Sequence, residues 1–255
     1  MIIDEQFLED LTASIEKTAL DNISTPSKKY KPSSMNCIRN MFFQIEGREP
    51  EKNPQAYTSV GILETGTDRH VRIQQAVAAM RANGFDCDYL DVPEYLEQHP
   101  ELSDIQVVRK MGVETLLYNT KYNISFACDG LIKYRGEYYI IEFKTEGSYK
   151  FDYRTGVDPS HYNQASAYSL SFGLDKVIFI YIDRNTLKMK CYLLDVTDTM
   201  RERIVSKIEQ CNRYVERNVI PPKDNVDYKV CSWCAYRLFC KSIPKTEVEM
   251  SELSS

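Results

Sequence analysis

The chain has 255 residues, 43% of them hydrophobic, and a formal net charge of −5. That length and apolar content support one large domain, or a domain with an appendage, and the mildly acidic balance excludes a globally basic nucleic-acid-coating protein, so any nucleic-acid surface has to be a local patch. No run of about 18 apolar residues is present to cross a membrane, and the start MIIDEQFLED lacks the basic-then-apolar pattern of a signal peptide, which leads to the expectation of a soluble, cytoplasmic protein.

Phe7, Leu11 and Ile15 recur four apart and predict an amphipathic helix over 4–20, broken at Ser24-Thr25-Pro26-Ser27. A short basic stretch, Lys28-Lys29-Tyr30-Lys31, leads to a helix carrying Met35, Cys37, Met41 and Phe42, with Ser33 or Ser34 as its cap. Residues 47–56 read as a polar loop. A longer helix over 59–83 carries His70 and ends at Gly84. Residues 91–111 read as a short helix and a strand. Stretches 114–119, 124–133 and 137–145 are rich in Tyr, Ile, Phe and Leu and predict a three-stranded meander. After a loop rich in Gly, Tyr and Asp, Asp158-Pro159 opens a helix that stops at Gly173. A buried strand over 176–183 takes 188–194 as its hairpin partner. A long polar helix over 197–218 closes at Pro221-Pro222, and a cysteine cluster occupies 228–242. The acidic, Ser-rich residues 245–255 read as a disordered tail.

The stretch 128–145, CDGLIKYRGEYYIIEFKT, reads as a hairpin with charges where apolar residues belong. Taking Arg135-Gly136 as the two-residue turn sets Gly130 against Ile141 and Asp129 against Glu142, with Lys144 on the Glu142 face. Two opposed carboxylates repel, and among Ile140, Ile141 and Phe143 that repulsion is poorly screened. A divalent cation removes the conflict, because hard cations gather carboxylate oxygens at one point. A lysine beside such a site can hold a phosphate or orient a water. The plain alternative is a solvent-exposed, salt-bridged hairpin.

Asp129, then Glu142-Phe143-Lys144 after 12 intervening residues, then Gln164 and Tyr168 four apart on one helix face, resembles the RecB-like branch of the PD-(D/E)XK nuclease superfamily. The upstream Gly66-Thr67-Asp68-Arg69-His70 is similar to that branch's G-x3-H motif. The ordered motifs cover 66–168. Where the family commonly has a glycine before the aspartate, this chain has Ala127-Cys128.

Eight cysteines in a reducing compartment suggest metal or cluster binding rather than disulfides. Cys231, Cys234 and Cys240 have a spacing that suits zinc or an iron–sulfur cluster, and Cys37 is the candidate fourth ligand. Cys87, Cys128, Cys191 and Cys211 read as ordinary small residues. The set of four resembles the [4Fe–4S] staple of RecB-like nucleases of CRISPR adaptation and recombinational repair, and closing so long a loop would restrict the unfolded chain strongly.

The resemblance implies an α/β fold, with a central mixed sheet flanked by helices and the two chain ends joined by the cluster. It divides the chain into an N-terminal helical segment (1–57), a nuclease core (58–196), a C-terminal helix with the cysteines (197–243) and the tail (244–255). It further implies a DNA exonuclease dependent on Mg²⁺ or Mn²⁺, acting on single-stranded ends with 5′→3′ polarity in repair, recombination or CRISPR adaptation. Asp129, Glu142, His70 and the Phe143 carbonyl would hold one or two ions, and Lys144, Gln164 and Tyr168 would complete the catalytic set. Unwinding would need a helicase or another recombination or adaptation partner, and a ring-shaped homo-oligomer would enforce end-threading. An endonuclease of the same superfamily and a non-catalytic DNA-binding adaptor are the alternatives. Glu114 and His161 stand as further residues that could approach the site. Tyr149, Phe151 and Tyr153 could stack bases or simply pack.

Overall fold

The structure is a computed structural model, which describes residues 5–21, 26–51, 57–111, 114–224, 226–232 and 234–243. The expected tail and part of the 47–56 loop lie outside them. In chain order the elements are α1 (Glu5–Asp21), α2 (Ile38–Ile45), α3 (Tyr57–Ala78), β1 (Cys87–Leu90), α4 (Val92–Gln98), β2 (Ile105–Met111), β3 (Glu114–Asn119), β4 (Ile124–Phe126), β5 (Gly130–Tyr134), β6 (Glu137–Glu146), α5 (Ser148–Asp152), α6 (Tyr162–Phe172), β7 (Lys176–Asp183), β8 (Met189–Asp195), α7 (Asp198–Glu216), α8 (Tyr228–Ser232) and α9 (Arg237–Ser242). Among the described residues no helix is long and apolar enough to cross a membrane.

Two compact units are present. One takes its described residues from 1–30, 34–60 and 207–255, the other from 31–33 and 61–206.

The larger unit is built on a mixed five-stranded sheet of order β1-β5-β6-β7-β8, in which only β6 and β7 are parallel. Alternation along β6 separates two environments. Ile141 and Phe143 point to a core with Cys87, Ile132 and Ile182, covered by Ile73, Val77 and Met80 from α3 and the turn after it. Glu142 and Lys144 point the other way, toward Gln164 on α6. A strand buried on both faces is what a central position between two helical layers produces.

The expected meander is two sheets rather than one. The stretch 124–133 breaks at 127–129; β4 joins β2 and β3, whereas β5 joins β1 and β6. The break frees Asp129 from the ladder, which begins at Gly130↔Ile141. Two further expectations change. Cys37, not Ser33 or Ser34, is the N-cap of α2; it makes no side-chain cap bond, and the Ile38 N–H donates to Asp224 Oδ2 at 2.8 Å. The loop after β6 holds a short helix, α5. Gly173 closes α6 at φ +66°, a conformation open to glycine without strain.

In the smaller unit the two chain ends interlock. Tyr30, fully buried, donates to Asn212 Oδ1 at 2.6 Å. Arg39 Nε donates to the Pro221 carbonyl at 2.7 Å, and the Phe43 ring meets Tyr236 and Phe239 edge-on at 5.4 and 5.2 Å. The Glu51 carboxylate accepts from the Leu238 and Phe239 N–H groups at the start of α9, satisfying donors that a helix leaves open there.

Candidate active site and cysteine cavity

The hairpin carries its two candidate carboxylates inside the protein. Asp129 is 9% exposed and Glu142 5%, so the solvent-exposed alternative does not hold. Asp129 does not face Glu142 across the ladder. Its Oδ2 accepts the Phe143 main-chain N–H at 2.5 Å, while Oδ1 lies 3.9 Å from His70 Nδ1. Burial first, and the Glu142 carboxylate second, push the Asp129 carboxyl well above its usual range.

Glu142 Oε1 collects two donors, Lys144 Nζ at 2.6 Å and Gln164 Nε2 at 2.8 Å. Gln164 is fully committed. Its amide nitrogen donates to Glu142 and to the Tyr168 hydroxyl at 2.8 Å, and its Oε1 accepts Lys144 at 3.0 Å. That pattern fixes which end of the amide is oxygen. The Tyr168 hydroxyl donates onward to the Ala127 carbonyl at 3.1 Å, tying α6 to the break between the two sheets. Thus His70, Asp129, Glu142, Phe143, Lys144, Gln164 and Tyr168 come together in one place, from α3, the sheet and α6.

Three polar atoms there are left over. Glu142 Oε2, His70 Nε2 and the Oε1 of the neighbouring Gln74 are buried and have no hydrogen-bond partner among the described residues. Native proteins leave few such groups, and each calls for a ligand, an ion or a water. Burial and the nearby Lys144 lower the His70 pKa to about 4, so its imidazole is neutral at pH 7, the form that ligates metals. Among the described residues no three His, Cys, Asp or Glu side chains form a ready-made single-ion holder. Here Glu142 Oε1 is occupied by Lys144 and Gln164. A buried carboxylate pair with an orphaned oxygen and an orphaned imidazole nitrogen nevertheless fits a divalent cation.

Three residues with no role in the sequence motifs support Asp129. The Gln74 amide donates to the Asp129 carbonyl at 2.8 Å and to Glu114 Oε1 at 3.3 Å. The Tyr89 hydroxyl donates to the same carbonyl at 2.9 Å. At Gly130 a Cβ would sit 2.6 Å from the Tyr89 ring, so glycine is what admits that ring. Gln74 follows His70 by four, one turn along the same helix face, a signal that could have found it. Nothing local marks Tyr89. Glu114 reaches the site through Gln74. His161 is a packing residue: its ring stacks on Phe179 and Tyr181, Nδ1 is 2.9 Å from the Tyr181 hydroxyl, and burial lowers its pKa to about 3. In α5 Phe151 is buried, whereas Tyr149 and the C-capping Tyr153 are exposed with rings 5.0 Å apart.

In the smaller unit Cys37, Cys231, Cys234 and Cys240 line one cavity. Burial pushes the Cys37 and Cys234 thiols up, and Cys234 feels Cys37, Cys240 and Cys231 as well. Arg39, 8% exposed, places Nη1 3.6 Å from Cys240 Sγ. The four thiols share this space beside a buried cation, although among the described residues no three of them are grouped as a metal-holding set. Of the other cysteines, Cys87, Cys128 and Cys211 are buried and Cys191 is exposed.

No protein-family model matches the chain, and no curated protein matches it. Solved structures that align with it include SSO0001, with 15% identity over 92% of this chain and 96% of that one, at a TM-score of 0.48. An alkaline exonuclease from Laribacter hongkongensis, LHK-Exo, aligns with 13% identity over 81% of this chain and 94% of its own, at 0.46. The same enzyme in complex with dAMP gives 13%, 82%, 93% and 0.44. Likeness of this degree assigns no role to any residue.

Proposed function

We propose that the chain is a metal-dependent nuclease of the PD-(D/E)XK type, an exonuclease acting on single-stranded DNA ends with 5′→3′ polarity. The observation that carries this reading is the Glu142 carboxylate. One oxygen is shared by Lys144 and Gln164, the other is buried and unpartnered, and Asp129 and His70 stand beside it.

Asp129, Glu142, His70 and the Phe143 carbonyl would hold Mg²⁺ or Mn²⁺, which when bound polarises a phosphate and lowers the pKa of water. The residues of the chain do the rest. Lys144, held from two sides, presents its ammonium to the scissile phosphate and neutralises the charge that grows on it, or orients the attacking water. Gln164 keeps Lys144 in place, and Tyr168 keeps Gln164 in place. The four cavity cysteines would hold a [4Fe–4S] cluster with a structural role, clamping the chain ends that carry them.

The test is digestion of end-labelled linear and circular DNA, single- and double-stranded, with Mg²⁺ or Mn²⁺. An exonuclease leaves circles intact, and the order of label release gives polarity. Lys144→Ala and Glu142→Gln should abolish cleavage while the protein stays folded; unchanged cleavage in both refutes the assignment. Brown protein with broad visible absorbance supports the cluster, and colourless protein containing zinc refutes it.

A further inference from the structure

The Glu142 side of the sheet opens into a cleft of ≈ 320 Å³, within the range of small-ligand sites. Glu142, Gln164 and Tyr168 line it, and so do Lys31 and Ser33, which belong to the same unit although they lie far upstream in sequence. Lys31 and Ser33 are exposed, while Pro32 between them is buried and anchors the tripeptide. Leu116, half-buried, supplies an apolar surface. Phe126 also lines the cleft but is 3% exposed, held by Tyr168 and Phe172 with ring centroids 5.7 and 5.5 Å away.

One space therefore offers an ammonium and a hydroxyl, an apolar surface, and the carboxylate–amide–phenol group. A nucleotide unit within a strand has matching parts: a phosphate, a ring system and the bond to be cut. We propose that Lys31 and Ser33 form a strand-holding wall. They bind a backbone phosphate of the strand beside the scissile one. This rests on the nuclease reading and names how its substrate is held. The interaction is ionic, so it carries the salt dependence of a phosphate contact.

The experiment measures binding of the full chain to fluorescein-labelled oligo-dT by anisotropy in Ca²⁺, across a salt series, beside a blunt duplex of equal length. Lys31→Ala is expected to weaken single-strand binding about fivefold and to reduce the salt slope by about 0.7. Lys31→Glu weakens it further, and Lys31→Arg stays within twofold of wild type. Unchanged affinity and slope in Lys31→Glu overturn the wall. A wild-type chain that binds neither overturns the wall and the nuclease reading together. A chain that binds single strands through Lys31 but cuts nothing in Mg²⁺ or Mn²⁺ refutes the nuclease reading and leaves the wall standing.

Discussion

Gln74 and Tyr89 donate to the same atom, the main-chain carbonyl oxygen of Asp129, at 2.8 and 2.9 Å. One donor comes from α3 and the other from β1, so the residue that leaves the ladder is gripped from two elements. Removing either donor loosens the carboxylate without touching it. Tyr89→Phe and Gln74→Leu should each weaken Mn²⁺ binding by about tenfold, as loss of a supporting hydrogen bond behind a ligand does. Electron paramagnetic resonance of free Mn²⁺ reads this directly; affinities equal to wild type would remove both from the site.

Asp129→Asn should stabilise the metal-free protein. Folding raises the Asp129 pKa, so the folded state prefers the protonated form, and stability falls as pH rises from the unfolded value through the folded one. At pH 7 the ionised group beside Glu142 costs stability, and a neutral amide of the same shape does not. A gain of about 1 kcal/mol would raise Tm by roughly 2–4 °C. Mn²⁺ should raise the wild-type Tm and leave that of the variant unmoved. Thermal melts with and without EDTA decide it.

Gln164→Leu should separate positioning from binding. Lys144 keeps its contact with Glu142 but loses the second acceptor that fixes its direction. We expect kcat to drop about 100-fold with KM for DNA nearly constant. A rise in KM at constant kcat would instead make Gln164 a substrate contact.

Acid should unfold the metal-free protein partly through its histidines. Their folded pKa values, about 3 for His161 and about 4 for His70, lie below the unfolded value near 6.5. The unfolded state therefore binds more protons in that window, and stability present above pH 6.5 is lost as pH falls toward 3–4. Each proton contributes a slope of about 1.4 kcal/mol per pH unit at most. His161→Phe should flatten the slope by about one proton in urea melts between pH 6.5 and 4.

Cys37→Ser and Cys191→Ser should behave oppositely. Cys37 lines the four-thiol cavity, and Cys191 is exposed on the outer strand β8. With the proposed cluster in that cavity, the first should give colourless, less stable protein and the second should match wild type in iron content and Tm; equal iron content in both removes the cluster.

The strands and helices that carry periodic apolar residues were legible from the sequence: the 176–183 strand, its hairpin partner, and the helix ending at Gly173. So was the hairpin register, because Arg135-Gly136 fixes it. The break at 127–129 was not, because 124–133 reads as one apolar run; whether it feeds one sheet or two is decided by long-range pairing with β1 and β3. β1 is only four residues long and lacks a pattern of its own. The site motif exposed side chains that differ in charge from their surroundings. Gln74 and Tyr89 act on a main-chain carbonyl, and the residue that owns that carbonyl gives no sign of needing support.

Phe143 belongs to two worlds. Its ring, 0% exposed, fills the core, while its N–H holds the Asp129 carboxylate. The second duty is written in the backbone, and every amino acid except proline brings the same N–H to it. The middle position of Glu-x-Lys is thus free to drift among large apolar residues as the neighbouring core repacks, with no erosion of the acidic residue's orientation. The hairpin can accept mutational turnover on one face while its chemistry on the other stays fixed.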